Sequence, residues 1–99
     1  MIPKSIKVFG LVYKVEKGNL NNEWGLTDFN DQIITIAKSQ TEERMKDTLC
    51  HEIGHCIIEH FRSAFEGCPE REREEMACDG FSHFKKVLDE NPKLRKYLF

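Results

Sequence analysis

Apolar and polar residues alternate through the first third of the chain. Ile6 and Val8 have one parity, while Tyr13 and Val15 have the other, and the switch falls at Phe9-Gly10. A change of parity at a glycine is typical of a β-bulge within one strand. Alternation resumes after the turn-rich segment 17–22 and continues to residue 38. The pattern therefore predicts a three-stranded antiparallel meander over the first 38 residues.

Helical spacing replaces the alternation after residue 38. Ser39-Gln40-Thr41-Glu42 has the spacing of a capping box, and no proline follows before Phe61, which predicts a helix of about 20 residues. A second helix should begin near Pro69 and end before Asn91-Pro92, because proline suits the first helical position. Residues 92–99 can form a last short helix. We therefore predict an α+β fold, a meander followed by two main helices, in one domain over residues 1–99.

Composition and charge exclude several kinds of partner. With 99 residues, the chain is long enough for one hydrophobic core and too short for two. Fifteen basic and 17 acidic side chains give a net charge of −2, so no strong field attracts nucleic acid or an anionic membrane. No apolar run approaches the ~20 residues that span a bilayer. We expect no nucleic-acid or membrane partner.

The four cysteines indicate a reducing compartment. Cys50, Cys56, Cys68 and Cys78 are too few for a disulfide scaffold, and none of them forms a Cys-x-x-Cys pair. We therefore expect reduced thiols in a cytoplasmic protein. Cys50 and Cys56 have apolar neighbours, which favours simple core positions for both.

The predicted first helix contains the motif that carries chemistry, His51-Glu52-Ile53-Gly54-His55. Positions i and i+4 of an α-helix lie about 40° apart, so both imidazoles project from one face and can bind a single zinc ion. Glu52 is rotated about 100° from His51 and can reach a metal-bound water without binding the metal. This is the geometry of a zinc hydrolase.

A catalytic zinc usually has three protein ligands and leaves its fourth position to water. The acidic stretch Glu70–Asp79 offers the missing ligand. On an ideal helical wheel Glu75 lies on the polar face, whereas Glu74 borders the apolar stripe. The wheel alone leaves both glutamates open.

Longer stretches around these residues resemble one family. Thr48-Leu49-Cys50-His51-Glu52-Ile53-Gly54-His55, preceded by Asp31-Gln32-Ile33-Ile34-Thr35-Ile36, resembles the small ImmA/IrrE-type metallopeptidases common in phages and mobile elements. The segment Glu75-Met76-Ala77-Cys78-Asp79-Gly80-Phe81, followed by residues 87–92, is similar to the segment that supplies the glutamate ligand there. Glu75 and Asp79 also resemble the broader gluzincin pattern.

The resemblance implies a zincin-like fold and a zinc metalloendopeptidase. Carried over by position, it makes His51, His55 and Glu75 the ligands of one Zn²⁺ ion and Glu52 the general base. The implied substrate is a protein or peptide, with a regulatory protein as the best guess. An exposed edge of the meander can receive such a segment as an added strand.

Two rival interpretations come from other classes of protein. Cys68 and Cys78 can join His51 and His55 in a closed structural site, although their spacing fits no standard zinc finger. The chain can also be a non-catalytic, metal-stabilised interaction protein that docks through its basic C-terminal cluster. That cluster comprises Lys85, Lys86, Lys93, Arg95 and Lys96. Glu52 argues against this non-catalytic interpretation, because a purely structural metal site has no use for it.

Two further questions stay open at this level. His60 lies five residues after His55, one short of the third histidine in the metzincin pattern, so we do not expect it to be a ligand. The charge that develops on a scissile carbonyl needs a second electrophile. The candidates are Tyr13, His60, His83 and Tyr97.

Overall fold

The computed structural model describes residues 1–65 and 80–99, and the side chains of 1–62 and 84–99. A four-stranded sheet precedes the helices in the described part of the chain. Its strands are β1 (Ser5–Val8), β2 (Leu11–Gly18), β3 (Gly25–Asp28) and β4 (Ile33–Ala37). The helices are α1 (Glu42–Phe65), α2 (Gly80–Glu90) and α3 (Pro92–Leu98). The α+β class is confirmed.

The predicted three-stranded meander is wrong. The sheet is mixed and has the order β1-β2-β4-β3. β1 pairs with β2 and β3 pairs with β4 in antiparallel fashion, but β2 and β4 run parallel. After β2 the chain therefore forms β3 at the edge of the sheet and then returns to place β4 between β2 and β3.

The parity switch at Phe9-Gly10 marks a turn, so the predicted bulge is also wrong. Val8 pairs with Leu11, which leaves two residues between the strands. Both have positive φ, 49° for Phe9 and 87° for Gly10. This conformation is that of a type I′ hairpin turn, whose usual sequence is Asn-Gly. Phe9 is an uncommon occupant, and its ring stacks on His60 with centroids 4.7 Å apart.

β4 is the most apolar strand and lies between two partners. Its sequence Ile-Ile-Thr-Ile-Ala fits a strand that is covered on both edges. A short loop joins it to β3, and there the Asp28 carboxylate accepts hydrogen bonds from the backbone N–H groups of Asn30 and Asp31, both at 3.0 Å. β3 pairs with β4 at the end of the strand order, so it is an outer strand of the sheet.

The core lies between one face of the sheet and the helices. α1 crosses that face. α2 packs against α1 and β1, and α3 packs against α2. The fully buried side chains are Ile6, Val8, Ile34, Ile36, Leu49, Ile53, Cys56, Val87 and Leu94. No helix among the described residues combines the length and apolar character needed to cross a membrane.

α1 and the C-terminal helices partly follow the sequence signals. α1 begins at Glu42 and its cap is Thr41, whose hydroxyl accepts a hydrogen bond from Arg44 N at 3.3 Å. The N-cap is therefore Thr41 and not Ser39, and no capping box forms because Arg44 occupies the third helical position. The helix runs four residues past Phe61. α2 ends before Asn91-Pro92 and α3 follows at once, as predicted. The predicted start of the second helix at Pro69 lies outside the described residues.

Asn91 ties the C-terminal helices to the sheet. Its side chain accepts a hydrogen bond from Lys7 N at 2.7 Å and donates to Lys7 O at 2.6 Å. It also donates to Val87 O at 2.7 Å. The amide therefore pairs with the outer edge of β1 as a neighbouring strand would.

We predict that Asn91→Ala lowers the free energy of unfolding by about 1–2 kcal/mol, because each of these hydrogen bonds is worth about 1 kcal/mol net. Urea denaturation measures the change. Asn19→Ala, at an exposed asparagine, is the matched control and should change the midpoint little. Equal midpoints for the two variants would contradict this role of Asn91.

Candidate metal centre

His51 and His55 lie side by side on the exposed face of α1. Their Nε2 atoms are 3.0 Å apart, and the ring planes meet at 83° with centroids 4.6 Å apart. Both residues are exposed. The expected helical geometry, two imidazoles one turn apart on the same side, is present.

The donor set suits a transition metal such as zinc. Zn–N bonds of about 2.0–2.1 Å in a tetrahedron separate two nitrogens by about 3.3 Å. The observed 3.0 Å between the Nε2 atoms is within a few tenths of an ångström of that value. A small side-chain adjustment is enough for both rings to bind one ion.

Glu52 completes a group that can hold a metal ion. Ligand atoms of His51, Glu52 and His55 all lie within 4.8 Å of one another. No other group of three or more His, Cys, Asp or Glu residues that could hold a metal is found within the described part of the chain. Glu52 differs from the histidines in burial, since it is only 5% exposed.

The Glu52 carboxylate is held by β3. Thr27 Oγ1 donates a hydrogen bond to Glu52 Oε1 at 2.8 Å. Thr27 pairs with Ile34, which is fully buried, so its side chain lies on the face of the sheet that α1 covers. A buried carboxylate needs such a donor, because an unpaired one would be costly in free energy.

Gly25 allows β3 to approach α1 closely enough for this contact. A Cβ atom at Gly25 would lie 2.7 Å from Thr48 Cγ2 and 3.1 Å from Glu52 Cγ. Gly25 and Thr27 are on the same face of the strand and meet the helix at Thr48 and Glu52, one turn apart. A larger residue at position 25 would therefore separate strand and helix where the Glu52 carboxylate is held.

The buried side chain of Gln40 also fixes the distance between β3 and α1. Gln40 Nε2 donates to Trp24 O and to Ala37 O, both at 2.9 Å. Its Oε1 accepts a hydrogen bond from Thr48 Oγ1 at 2.7 Å. One side chain thus joins the residue before β3, the end of β4 and the middle of α1.

A cleft of about 750 Å³ opens in front of the His51–Glu52–His55 group, between α1 and β3. Its strand side carries large apolar side chains, with Trp24 55% exposed and Leu26 48% exposed. On its helix side the Arg44 guanidinium lies 5.0 Å from the centre of the Trp24 ring. Among the described residues, the candidate metal-binding group is therefore accessible from solvent along one wall of an amphipathic cleft.

The structure brings together three of the predicted site residues, His51, Glu52 and His55. Glu75, the ligand implied by the resemblance, lies outside the described residues, as does its alternative Glu74. Cys68 and Cys78, the cysteines of the closed-site interpretation, also lie outside them.

None of the candidate electrophiles whose side chains are described lines the cleft. Tyr13 is 3% exposed in the core, and burial raises its pKa to about 12. Tyr97 is also buried, under the Lys46 ammonium at 5.6 Å from its ring centre. His60 stacks on Phe9 and is not among the three described residues that could hold a metal. The His83 side chain is outside the described side chains.

The two described cysteines are not part of the candidate metal-binding group either. Cys56 is fully buried, and burial raises the pKa of its thiol to about 12. Cys50 is half-buried, and burial raises its pKa as well. Cys56 therefore occupies the core position predicted for it, whereas Cys50 lies outside the core cluster.

Sequence reasoning missed Thr27, Gly25 and Gln40. All three act across non-local contacts that periodicity does not encode. The glycine carried the clearest signal, since an isolated glycine beside a strand indicates a close backbone approach.

Comparison with known proteins gives no further assignment. No family model matches the chain, and none of the curated proteins or solved structures compared with it matches either. Function is therefore inferred from the geometry of the site.

We predict that zinc stabilises the protein and that the effect requires the histidine pair. A ligand that binds only the folded state at 100 times its Kd adds about 2.7 kcal/mol to the free energy of unfolding. His55→Ala should abolish the zinc-dependent rise in melting temperature, because a single imidazole remains on that face of α1.

His60→Gln is the control, since it removes an imidazole that is stacked on Phe9. It should keep the full zinc-dependent rise, whatever its own melting temperature. A rise that survives in His55→Ala would show that zinc binds elsewhere.

A second prediction concerns the contact between strand and helix. Gly25→Ala should lower stability by about 1–3 kcal/mol, as overpacking does, and Thr48→Ser should recover part of the loss by removing the methyl group that clashes. Gly54→Ala is the matched control, because a Cβ there meets nothing within 4 Å. It should be neutral or stabilise α1 by up to about 1 kcal/mol in chemical denaturation.

Proposed function

We propose that this protein is a zinc-dependent metallopeptidase that hydrolyses peptide bonds of a protein substrate. The observation that carries the proposal is the arrangement of the site. Two exposed imidazoles 3.0 Å apart and a buried glutamate line one open cleft. The His-Glu-x-x-His motif on a helix is the usual arrangement for this chemistry.

Each residue of the site would have a separate role. His51 and His55 would hold the zinc ion together with Glu75, the ligand that the family resemblance implies. Bound zinc would supply a Lewis acid that activates water and polarises the scissile carbonyl. Glu52 would accept the proton of the attacking water and deliver it to the leaving amine.

Burial of Glu52 supports its role as the base. The group is 5% exposed at the wall of the cleft, and Thr27 donates to one of its two oxygens. The other oxygen keeps its capacity to accept a proton. A metal site with only a structural role would give no reason to bury a carboxylate there.

The length of the groove supports an extended substrate. A second cleft of about 600 Å³ adjoins the first, shares Leu26, Thr27 and Phe29 with it, and reaches Arg62 among the described side chains. The groove therefore follows α1 from Arg44 to Arg62, roughly 27 Å at 1.5 Å per residue. An extended peptide of about eight residues covers that distance.

β3 supports the same mode of binding. It is at the end of the sheet order, with β4 as its neighbour. A substrate strand added along it would bring its carbonyl groups next to the histidine pair. The exposed Trp24 and Leu26 offer apolar contacts to its side chains.

The test separates metal binding from hydrolysis. Glu52→Gln should retain stoichiometric zinc and lose hydrolysis of a random decapeptide mixture, measured as released α-amino groups. A fall of 10²-fold or more is expected for the loss of a general base. Normal hydrolysis by this variant would refute the mechanism.

The third ligand is tested by the same metal analysis. Glu75→Gln should lose zinc at equilibrium dialysis, whereas Glu74→Gln, its neighbour in the chain, should retain it. The opposite result would assign the ligand role to Glu74 and contradict the resemblance.

A further inference from the structure

Glu52 has two chemical roles open to it. Its carboxylate is close enough to His51 and His55 for the three to bind one ion together, because their ligand atoms lie within 4.8 Å. A set of two histidines and one carboxylate is a complete three-ligand zinc site. As a ligand, however, Glu52 would no longer be available as a base.

The contact with β3 decides between these roles. Thr27 Oγ1 donates to Glu52 Oε1 at 2.8 Å, so one carboxylate oxygen already has a partner on the strand side. Glutamate has three rotatable side-chain bonds, and an unrestrained carboxylate would turn freely towards a cation. Thr27 restricts that rotation.

Backbone geometry holds the hydroxyl in place. The distance between β3 and α1 is fixed near Thr27. Gln40 donates a hydrogen bond to Trp24 O, just before β3, and accepts one from Thr48 on α1. There is no side chain at Gly25 to push the strand outward. Position 27 is therefore set by contacts that β3 makes with the helix two and three residues before it.

We infer that Thr27 is a positioning residue that keeps Glu52 beside the metal as a base and prevents it from becoming a ligand. The inference rests on the proposed function. It adds a residue of the edge strand to the site and gives it a role distinct from binding metal or substrate.

Cobalt(II) in place of zinc tests this without a substrate. Its visible absorption is strong in four-coordinate sites and weak when a further ligand raises the coordination number. Thr27→Val keeps the shape of the side chain and removes the hydroxyl, whereas Thr27→Ser keeps the hydroxyl. We expect Thr27→Ser to have the wild-type spectrum and Thr27→Val to lose intensity as the carboxylate joins the metal.

A second change attributes the effect to Glu52. In Thr27→Val combined with Glu52→Gln, the amide binds metal poorly, so the spectrum should return to that of Glu52→Gln alone. If Thr27→Val does not fold, as judged by circular dichroism, Thr27→Ala removes the same hydroxyl with less bulk and is measured in its place.

The outcomes separate the two claims. If the wild-type protein and Thr27→Val (or Thr27→Ala) bind cobalt with the same spectrum, the role of Thr27 is overturned. The metallopeptidase proposal would still stand. A wild-type protein that binds no cobalt or zinc would overturn the metallopeptidase proposal, and the role of Thr27 with it.

Discussion

The close packing of β3 against α1 is the contact on which the candidate site depends. It requires a glycine at position 25, since a Cβ would lie 2.7 Å from the methyl group of Thr48. The same approach brings Thr27 within hydrogen-bond distance of Glu52 and forms the wall of the cleft. Gln40 maintains the spacing through three buried or part-buried hydrogen bonds. Packing, the orientation of Glu52 and access to the histidines therefore have one structural cause.

The mixed order of the sheet determines which strand borders the site. In the predicted meander, the strand that leads into α1 would be at the edge, and Ile34 and Ile36 would lie next to the cleft. In the structure that strand is central and both isoleucines are fully buried. β3 is the edge strand instead, and in and beside it Trp24, Leu26 and Phe29 are exposed. The exposed apolar side chains at the cleft are therefore ones that a meander would have placed elsewhere.

What the sequence predicts well is local. The i, i+4 spacing of His51 and His55 determines their shared face once the helix forms, and the helix end before Asn91-Pro92 follows from the geometry of proline. Strand order is non-local, and alternation is the same for parallel and antiparallel neighbours, so the position of β4 could not be obtained from it. The turn at Phe9-Gly10 was missed because its first residue is atypical. Its positive φ is accommodated where the ring packs on His60 and Phe61.

The distribution of burial within the motif bears on the choice between a structural and a catalytic metal. A structural zinc site is closed by four protein ligands and needs no further ionisable group. Here both imidazoles are exposed to the cleft, while the carboxylate between them in sequence is 5% exposed. Burying a carboxylate costs free energy that one neutral hydroxyl donor only partly offsets. A site selected for stability alone would be better served by an apolar residue at position 52. The buried acid beside two exposed histidines therefore supports the proposal of a catalytic metal over a structural one.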